Sequence, residues 1–288
     1  MVTDIKKYTF KEGLPMGFEI VSLKELYIKA KGSLTTPHRA NFYHILWFQH
    51  CNLTHLVDFN PVSVKHNSVL FLNKDTVQIF DNTEAIDGKA ILFTDDFFCQ
   101  SADDLKFLRS TVLFNDLFSV SHIEITSGSS LTEIFALIER EWQQTKDNYQ
   151  AEILQNYLHN FLLLAERERR KQNFIEIKKG ADLDYVLLFK DLLENQFKTN
   201  RQVSQYASQI SITEKRLNQA TSKVLGKSPK EMIDERVLLE AKRLLTHTTE
   251  SIKEIGFSLG FDEPTNFIKY FRKHQKVTPV EFRERIFA

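Results

Sequence analysis

Hydrophobic and polar positions divide the chain into a front part with a strand-like pattern and a back part with a helical one. Up to about residue 125, short segments rich in β-branched and aromatic residues alternate with turn-forming residues. The segments 42–48, 69–72, 76–80 and 89–93 fit this pattern, and Ser101 begins a brief predicted helix. Short strands at regular spacing, with no long helix between them, predict an antiparallel sandwich or a small barrel.

From residue 129 onward the hydrophobic residues follow a helical period. Ser130 begins a predicted helix over 131–144, and a second helix is predicted over about 149–171. The second helix has a wide apolar face formed by Leu154, Leu158, Phe161 and Ala165. Such a face packs either into the core of its own chain or against a partner helix in a dimer. The pattern leaves both interpretations open.

The last ninety residues contain an internal repeat with a period of 49 to 50 residues. The shared positions are hydrophobic or small, and the pairs are Val203/Ile252, Tyr206/Ile255, Ala207/Gly256, Ile212/Phe261 and Leu217/Phe267. The segments 228–231 and 278–281 are both capping boxes with proline at the first helical position, and 251–254 is a third capping box. Each copy therefore predicts a helix, a tight turn, a second helix and a further capped helix.

This order of elements is typical of a helix-turn-helix unit. Ala207 and Gly256 provide a small residue where the two helices cross. Gly260 provides a residue that adopts positive φ in the second turn, whereas the first copy has Ser211 there. We expect the second helices to cover about 214–225 and 263–274, with Thr213 and Asp262 as N-caps.

Polar and basic residues on the second helices are candidates for contact with DNA. Amide side chains hydrogen-bond to base edges in the major groove, and Lys and Arg bind phosphates or guanine. Between the two copies of the repeat, the pattern of residues 229–245 predicts a linker helix roughly 24 Å long. A helix of this length would hold the second helices of the two copies in successive major grooves. An ordinary solvated surface is the alternative. The candidates are Thr213, Lys215, Arg216, Asn218, Gln219 and Lys223 in the first copy, and Glu263, Thr265, Asn266, Lys269, Arg272 and Lys273 in the second.

The charge distribution supports a polyanionic partner. Net charge is zero overall, but residues 198–288 have 17 basic and 11 acidic side chains, which leaves the first 197 residues with a net charge of −6. The hydrophobic content of 42% is typical of a globular protein. Two cysteines cannot form a disulfide framework or a four-ligand zinc site. With no signal peptide or membrane-spanning segment apparent, we expect a cytoplasmic protein without a membrane partner.

Several motifs follow one another in a fixed order: SIKEIG at 251–256, LGFDE at 259–263, FRK at 271–273 and TPVEFR at 278–283, with LN at 217–218 and GKSP at 226–229 before them. On these motifs, the segment from about 185 to 283 resembles the DNA-binding domain of the AraC/XylS family of bacterial transcription regulators. The resemblance implies a sequence-specific regulator of transcription, and not an enzyme, that binds double-stranded DNA and needs no cofactor. It also implies activation through contact with RNA polymerase, with repression as the alternative outcome.

The family resemblance also implies a sensor that precedes the DNA-binding domain, often a cupin-like β-barrel for a small-molecule effector, and a homodimer. The predicted fold class is α+β multidomain: a cupin-like β-barrel with flanking helices, followed by an all-α domain of two helix-turn-helix units joined by a linker helix. The expected boundaries are 1–128 for the sensor, 129–172 for a helical dimerisation region, 173–183 for a linker and 184–288 for the DNA-binding domain.

Small barrels can hold one ligand, and His38, Tyr43 and Trp47 are the candidate effector-binding residues. Ordinary core or surface residues are the alternative for all three. A metal-dependent cupin enzyme is a rival function, because five metal-ligating side chains lie close together in sequence. The paired His-x-His motif of metal cupins is missing, however, and an effector-independent DNA-binding protein is a further alternative. The five side chains are His38, His44, His50, Cys51 and His55.

Overall fold

A computed structural model describes residues 5–10, 16–81, 86–126, 128–172, 174 and 180–287 of the 288-residue chain. These residues divide into two compact units. The first unit extends from Lys6 to the end of the long helix near residue 172, and the second comprises 180–287 together with Ile5. Both units are built on hydrophobic cores of their own.

Two five-stranded sheets form the framework of the first unit. The pairs are antiparallel except for β1 and β3, which are parallel. One sheet has the order β1 (Lys6–Tyr8), β3 (His38–Ala40), β8 (Gln78–Ile79), β5 (Leu53–Val57) and β6 (Asn60–Val64). The other has the order β10 (His122–Glu124), β7 (Ser68–Leu72), β4 (Tyr43–Phe48), β9 (Gly88–Phe93) and β2 (Phe18–Ser22).

The α+β class and the four predicted strands are confirmed. Within the described ranges no strand pairs with both sheets, so the barrel is not closed by hydrogen bonds. One prediction for the front part is wrong: helix α1 (Leu23–Leu34) lies between β2 and β3. It buries Leu23, Tyr27 and Leu34, and its backbone departs from helical geometry at Ala30. Only three of its twelve residues are buried, so its apolar stripe is narrow.

Helices α2 to α6 belong to the first unit and pack on one face of β4. Leu154, Leu158, Phe161 and Ala165 on α6 are fully buried in the same core as the strand. The apolar face of α6 is therefore intramolecular core, and a dimer through this face is excluded. The predicted cap Ser130 is the first helical residue, and Ser129 is the N-cap. The helices are α2 (Asp95–Phe98), α3 (Ala102–Ser110), α4 (Val112–Asn115), α5 (Ser130–Trp142) and α6 (Gln150–Lys171).

The second unit is entirely helical over its described residues, and both copies of the repeat share one core. All three predicted capping boxes are present, with Ser228, Ser251 and Thr278 as the capping residues. The predicted linker helix is longer than expected and ends at His247. The helices are α7 (Ala181–Gln196), α8 (Val203–Gln209), α9 (Glu214–Leu225), α10 (Pro229–His247), α11 (Ile252–Ser258), α12 (Pro264–Gln275) and α13 (Pro279–Phe287).

The tight turns of the two helix-turn-helix pairs have the predicted backbone. Gly260 has φ +81°, and a Cβ atom there would lie 1.8 Å from the Lys198 carbonyl oxygen, so only glycine fits. Ser211 adopts φ +60° at the matching position of the first copy. A residue with a Cβ atom is sterically strained at positive φ, and glycine avoids this strain. Gly256 lies at the crossing, where a Cβ atom would be 3.2 Å from that of Phe267.

Both copies are held to each other as well as to α10. The guanidinium of Arg201, which precedes α8, donates to the Leu259 carbonyl at 2.6 Å and lies 3.5 Å from the ring centre of Phe261. On the other side, the Tyr270 hydroxyl of α12 donates to Asp234 of α10 at 2.8 Å. The two second helices therefore belong to one packed body.

Candidate DNA-binding surface

Helix α9 presents the predicted contact residues of the first copy. Thr213 is confirmed as its N-cap, since the hydroxyl accepts from the Arg216 amide at 3.1 Å. Leu217, Ala220 and Thr221 form the buried face, which packs on α7 and α10. The opposite face points to solvent, and its predicted contact residues are Lys215, Asn218 and Gln219.

Arg216 and Lys223 lie at the edge of α9 that faces α7, and both bind the same carboxylate. Asp182 contacts the Arg216 guanidinium at 2.5 Å and the Lys223 ammonium at 2.6 Å. These two cations hold the pKa of the Asp182 carboxyl below its usual range, chiefly through the hydrogen bonds from Lys223 and Arg216. The Tyr185 ring lies 4.9 Å from the guanidinium. Sequence spacing gave no sign of this cluster, because Asp182 is 34 and 41 residues from its partners.

Helix α12 presents the predicted residues of the second copy on one exposed face. Phe267 and Phe271 anchor the other face in the core. Glu263 is also exposed, and it takes the N-cap position predicted for Asp262, although its side chain makes no capping hydrogen bond. Proline at the next position reduces the need for a cap, because it has no amide hydrogen. The exposed residues of the helix are Thr265, Asn266, Lys269, Arg272 and Lys273.

The charge on these two surfaces differs. Lys269, Arg272 and Lys273 form no ion pair within 4.0 Å with another residue of the described chain, so their charge is directed to solvent. The charges of Arg216 and Lys223 are instead compensated by Asp182. Helix α10, which connects the two copies, has 19 residues. This corresponds to a rod of about 28 Å, close to the spacing of successive major grooves, about 34 Å.

The three predicted effector residues do not line one site. Tyr43 and Trp47 lie in the core beneath the helices, where Tyr43 donates to Asp95 at 3.1 Å and Trp47 donates to Asn67 at 2.8 Å. His38 is in the other sheet and stacks on Phe80. Because successive side chains of a strand point to opposite faces, Tyr43 and Trp47 lie on the face of β4 opposite to His44, away from His38.

A buried polar cluster between the two sheets was missed. Gln78 of β8 contacts His55 of β5 at 3.0 Å and His44 of β4 at 3.4 Å. The Nδ1 atoms of His44 and His55 are buried and have no hydrogen-bond partner within the described residues. His44, Leu46 and Phe48 share one side of β4, but every residue of this strand is buried, so no alternation in the sequence marks that side.

Burial keeps these histidines neutral. Desolvation is the main cause that lowers the pKa of His44 to about 3, and the nearby His38 and His55 lower it further. Desolvation also lowers the pKa of His55 to about 4, against the raising effect of the Gln78 hydrogen bond. The pKa of His38 is lowered in the same direction, again mainly by burial.

The metal-enzyme alternative gains no support from side-chain geometry. Among the described residues, no group of three or more His, Cys, Asp or Glu side chains is arranged to hold a metal ion. His50 instead contacts Asp87 at 2.7 Å, and the Cys51 thiol donates to the Asp87 carbonyl. No helix in the described part of the chain is long and apolar enough to cross a membrane.

Residues 206–285 match the family model of a helix-turn-helix domain. The chain is similar along most of its length to the HTH-type transcriptional activator RhaS: 21% identical over 252 residues to that of Enterobacter sp. (strain 638), and 22% over 255 residues to that of Escherichia coli O81 (strain ED1a). In both comparisons 86% of this chain and 87% of the relative are covered.

Solved structures of similar proteins include ToxT from Vibrio cholerae, at 15% identity and a TM-score of 0.43, with 95% of this chain and 96% of that chain covered. An AraC-type transcriptional regulator from Chromobacterium violaceum is 24% identical, with a TM-score of 0.34, and covers 38% of this chain and 96% of its own. The helix-turn-helix match lies on the two helix pairs described above, and the similarity to RhaS extends over both units. The chain is therefore a DNA-binding transcription regulator with a helix-turn-helix domain over 206–285, and it resembles members of the AraC/XylS family.

Proposed function

We propose that the chain activates transcription by inserting α9 and α12 into successive major grooves of its operator. The observation that carries this proposal is α12, where exposed Asn266 is followed by three exposed cations that have no ion-pair partner in the described chain. Cations bind phosphates of any sequence, whereas an amide pairs with adenine edges, so this combination suits specific binding. The relatives named as transcriptional activators support activation over repression.

The proposed partners are double-stranded DNA, RNA polymerase and a second copy of the chain. Because the apolar face of α6 is buried, we place the dimer contact on another surface of the helical region 129–172. The solvent side of α6, which presents Tyr149 and Leu163, is the candidate. The proposed boundaries remain 1–128, 129–172, 173–183 and 184–288, with the last domain beginning in the first turn of α7.

A small-molecule effector in the first unit is also part of the proposal. We place its site at the cluster of His38, His44, His55 and Gln78 and not at Tyr43 or Trp47. Unpaired Nδ1 atoms in an apolar interior favour a ligand with hydrogen-bonding groups, because an unsatisfied buried polar atom is costly. Effector binding would then change the population of DNA-binding conformations.

The direct test is the affinity of the full chain for its own upstream DNA, measured by fluorescence anisotropy across a salt series. We expect binding to be specific and to weaken steeply with salt, because each phosphate contact releases counterions. A transcription assay with purified RNA polymerase then separates activation from repression. Equal affinity for the upstream DNA and for a scrambled duplex would contradict the proposed function.

Lys269→Ala is expected to weaken binding to operator and scrambled DNA alike. The ammonium is exposed and forms no ion pair with the described residues, so its loss removes one phosphate contact. The slope of log affinity against log salt should decrease in magnitude by about 1. Lys146→Ala is the matched control, because it removes the same charge from the exposed connection between α5 and α6. A salt slope equal to that of the control would show that Lys269 does not contact phosphate.

Asn266→Ala is expected to lower affinity for the operator and leave affinity for scrambled DNA nearly unchanged. One bidentate amide contact to adenine contributes about 1–3 kcal/mol of discrimination against the wrong base. Gln219→Ala tests the same role in the first copy. Competition binding against operators with single base substitutions measures the effect. An equal loss on all sequences would assign these amides to the DNA backbone.

A further inference from the structure

Asp182 is the one acidic side chain of the described chain that contacts cations on the exposed edge of a predicted recognition helix. It is the second residue of α7, and its side chain is 19% exposed. Its two oxygens bind different partners: Oδ1 accepts from Arg216 and Oδ2 from Lys223. One carboxylate therefore bridges two cations that are seven residues, or about two turns, apart on α9.

A carboxylate between two cations has the chemistry of a backbone phosphate between the same cations. Both are compact oxyanions, and both accept charge-assisted hydrogen bonds from Arg and Lys. Lys223 remains 76% exposed, and the Arg216 side chain is 35% exposed, so an approaching phosphate can reach both. Since neither cation can bind two oxyanions with full strength, DNA must compete with Asp182.

Among the residues that the structure describes, no carboxylate bridges the exposed cations of α12 in the second copy. Its preceding helix, α10, also directs a carboxylate at the recognition helix, but Asp234 binds the Tyr270 hydroxyl and Lys230 of its own helix. These contacts are at the buried side of α12, and Lys269, Arg272 and Lys273 remain on the exposed side. Asp234 therefore holds α12 through Tyr270, with His274 at 3.8 Å, and does not contact its three exposed cations. Asp182, in contrast, contacts both Arg216 and Lys223 on the exposed edge of α9.

We propose that Asp182 is an autoinhibitory phosphate mimic that holds Arg216 and Lys223 of the first helix-turn-helix unit and that a DNA phosphate displaces on binding. The inference rests on the proposed function, because it assumes that α9 contacts DNA. As a consequence, the two units contribute unequally to DNA affinity. The second unit binds DNA with its full charge, and the first unit binds only after it loses an internal contact. DNA affinity is thereby kept below the value that the side chains of α9 would otherwise give.

The test compares two isosteric variants of the full chain, Asp182→Asn and Asp184→Asn. Both remove one negative charge from the first turn of α7, but Asp184 is exposed and forms no ion pair with the described residues. We expect Asp182→Asn to bind operator about threefold to tenfold more tightly than Asp184→Asn, as the loss of two surface ion pairs implies. The midpoint of thermal unfolding should change in the opposite direction, so that Asp182→Asn unfolds at a lower temperature than Asp184→Asn.

A third measurement isolates the contact itself. In a chain that carries Arg216→Ala and Lys223→Ala, Asp182→Asn should no longer change DNA affinity, because its partners are absent. Equal affinities for the two asparagine variants, or weaker binding by Asp182→Asn, would overturn the inference while the proposed function stands. If neither the parent chain nor any variant binds upstream DNA more tightly than scrambled DNA, the proposed function fails, and the inference fails with it.

Discussion

Phe267→Ala is expected to destabilise the second unit by about 3–5 kcal/mol, as is typical when a buried phenylalanine is truncated. The ring is fully buried, lies 5.3 Å from Phe261 and 6.0 Å from Phe271, and fills the space beside Gly256. Because Gly256 has no side chain that could move into the cavity, little of this cost is recovered. DNA affinity should fall in parallel once the unit is partly unfolded.

The matched control is Phe257→Ala, since Phe257 is in the same helix-turn-helix pair but is 47% exposed. Exposed truncations of this kind usually change stability by less than about 0.5 kcal/mol. Thermal unfolding followed by circular dichroism at the helical minimum measures both variants in the full chain. Similar midpoints for the two variants would mean that the crossing of α11 and α12 is not packed as described.

Acidification from pH 7 to pH 5 is expected to destabilise the first unit by about 2–4 kcal/mol through His44 and His55. Both pKa values are lowered in the folded state, to about 3 and about 4, so the unfolded chain binds protons first. Stability is therefore full above the unfolded pKa, near 6.5, and is lost as the pH falls from there toward the folded pKa. The second unit has no matching cluster among its described residues.

Tryptophan fluorescence can follow this unfolding selectively, because Trp47 and Trp142 are the chain's two tryptophans and both lie in the first unit. His44→Gln removes one of the buried titrating groups and should make the dependence on pH shallower. His50→Gln removes an exposed histidine and is the control. If both variants retain the full acid sensitivity of the parent, the buried histidines are not its cause.

Local sequence signals predicted the second unit well, for physical reasons that concern neighbouring residues. Capping boxes, a glycine at positive φ and a small residue at a helix crossing each depend on side chains within a few positions, so they are visible in the chain. The repeat then supplied the order of elements without any tertiary information. The one error in this region, Asp262 as a cap, is a shift of a single position to Glu263.

Contacts between elements that are distant in sequence could not be predicted from such local signals. The strand β4 is buried on both faces, so alternation could not show which face meets His38 and which meets the helices. Helix α6 had a clear apolar stripe, but periodicity cannot distinguish its own core from a partner. The contact of Asp182 with Arg216 and Lys223 depends on how α7 packs on α9, and no local pattern encodes that packing.

Under the proposed function, in which α9 and α12 each contact DNA, the continuous helix α10 would make the interval between the two contacted segments part of what the chain recognises. Adding one residue to a helix turns everything beyond it by about 100°, whereas adding one base pair turns a DNA site by about 35°. Because α8, α9, α11 and α12 all pack in one core with α10, rotation of one copy cannot compensate for such a change. We therefore expect operators with identical bases but one extra base pair between the two contacted segments to be discriminated by helical phase alone.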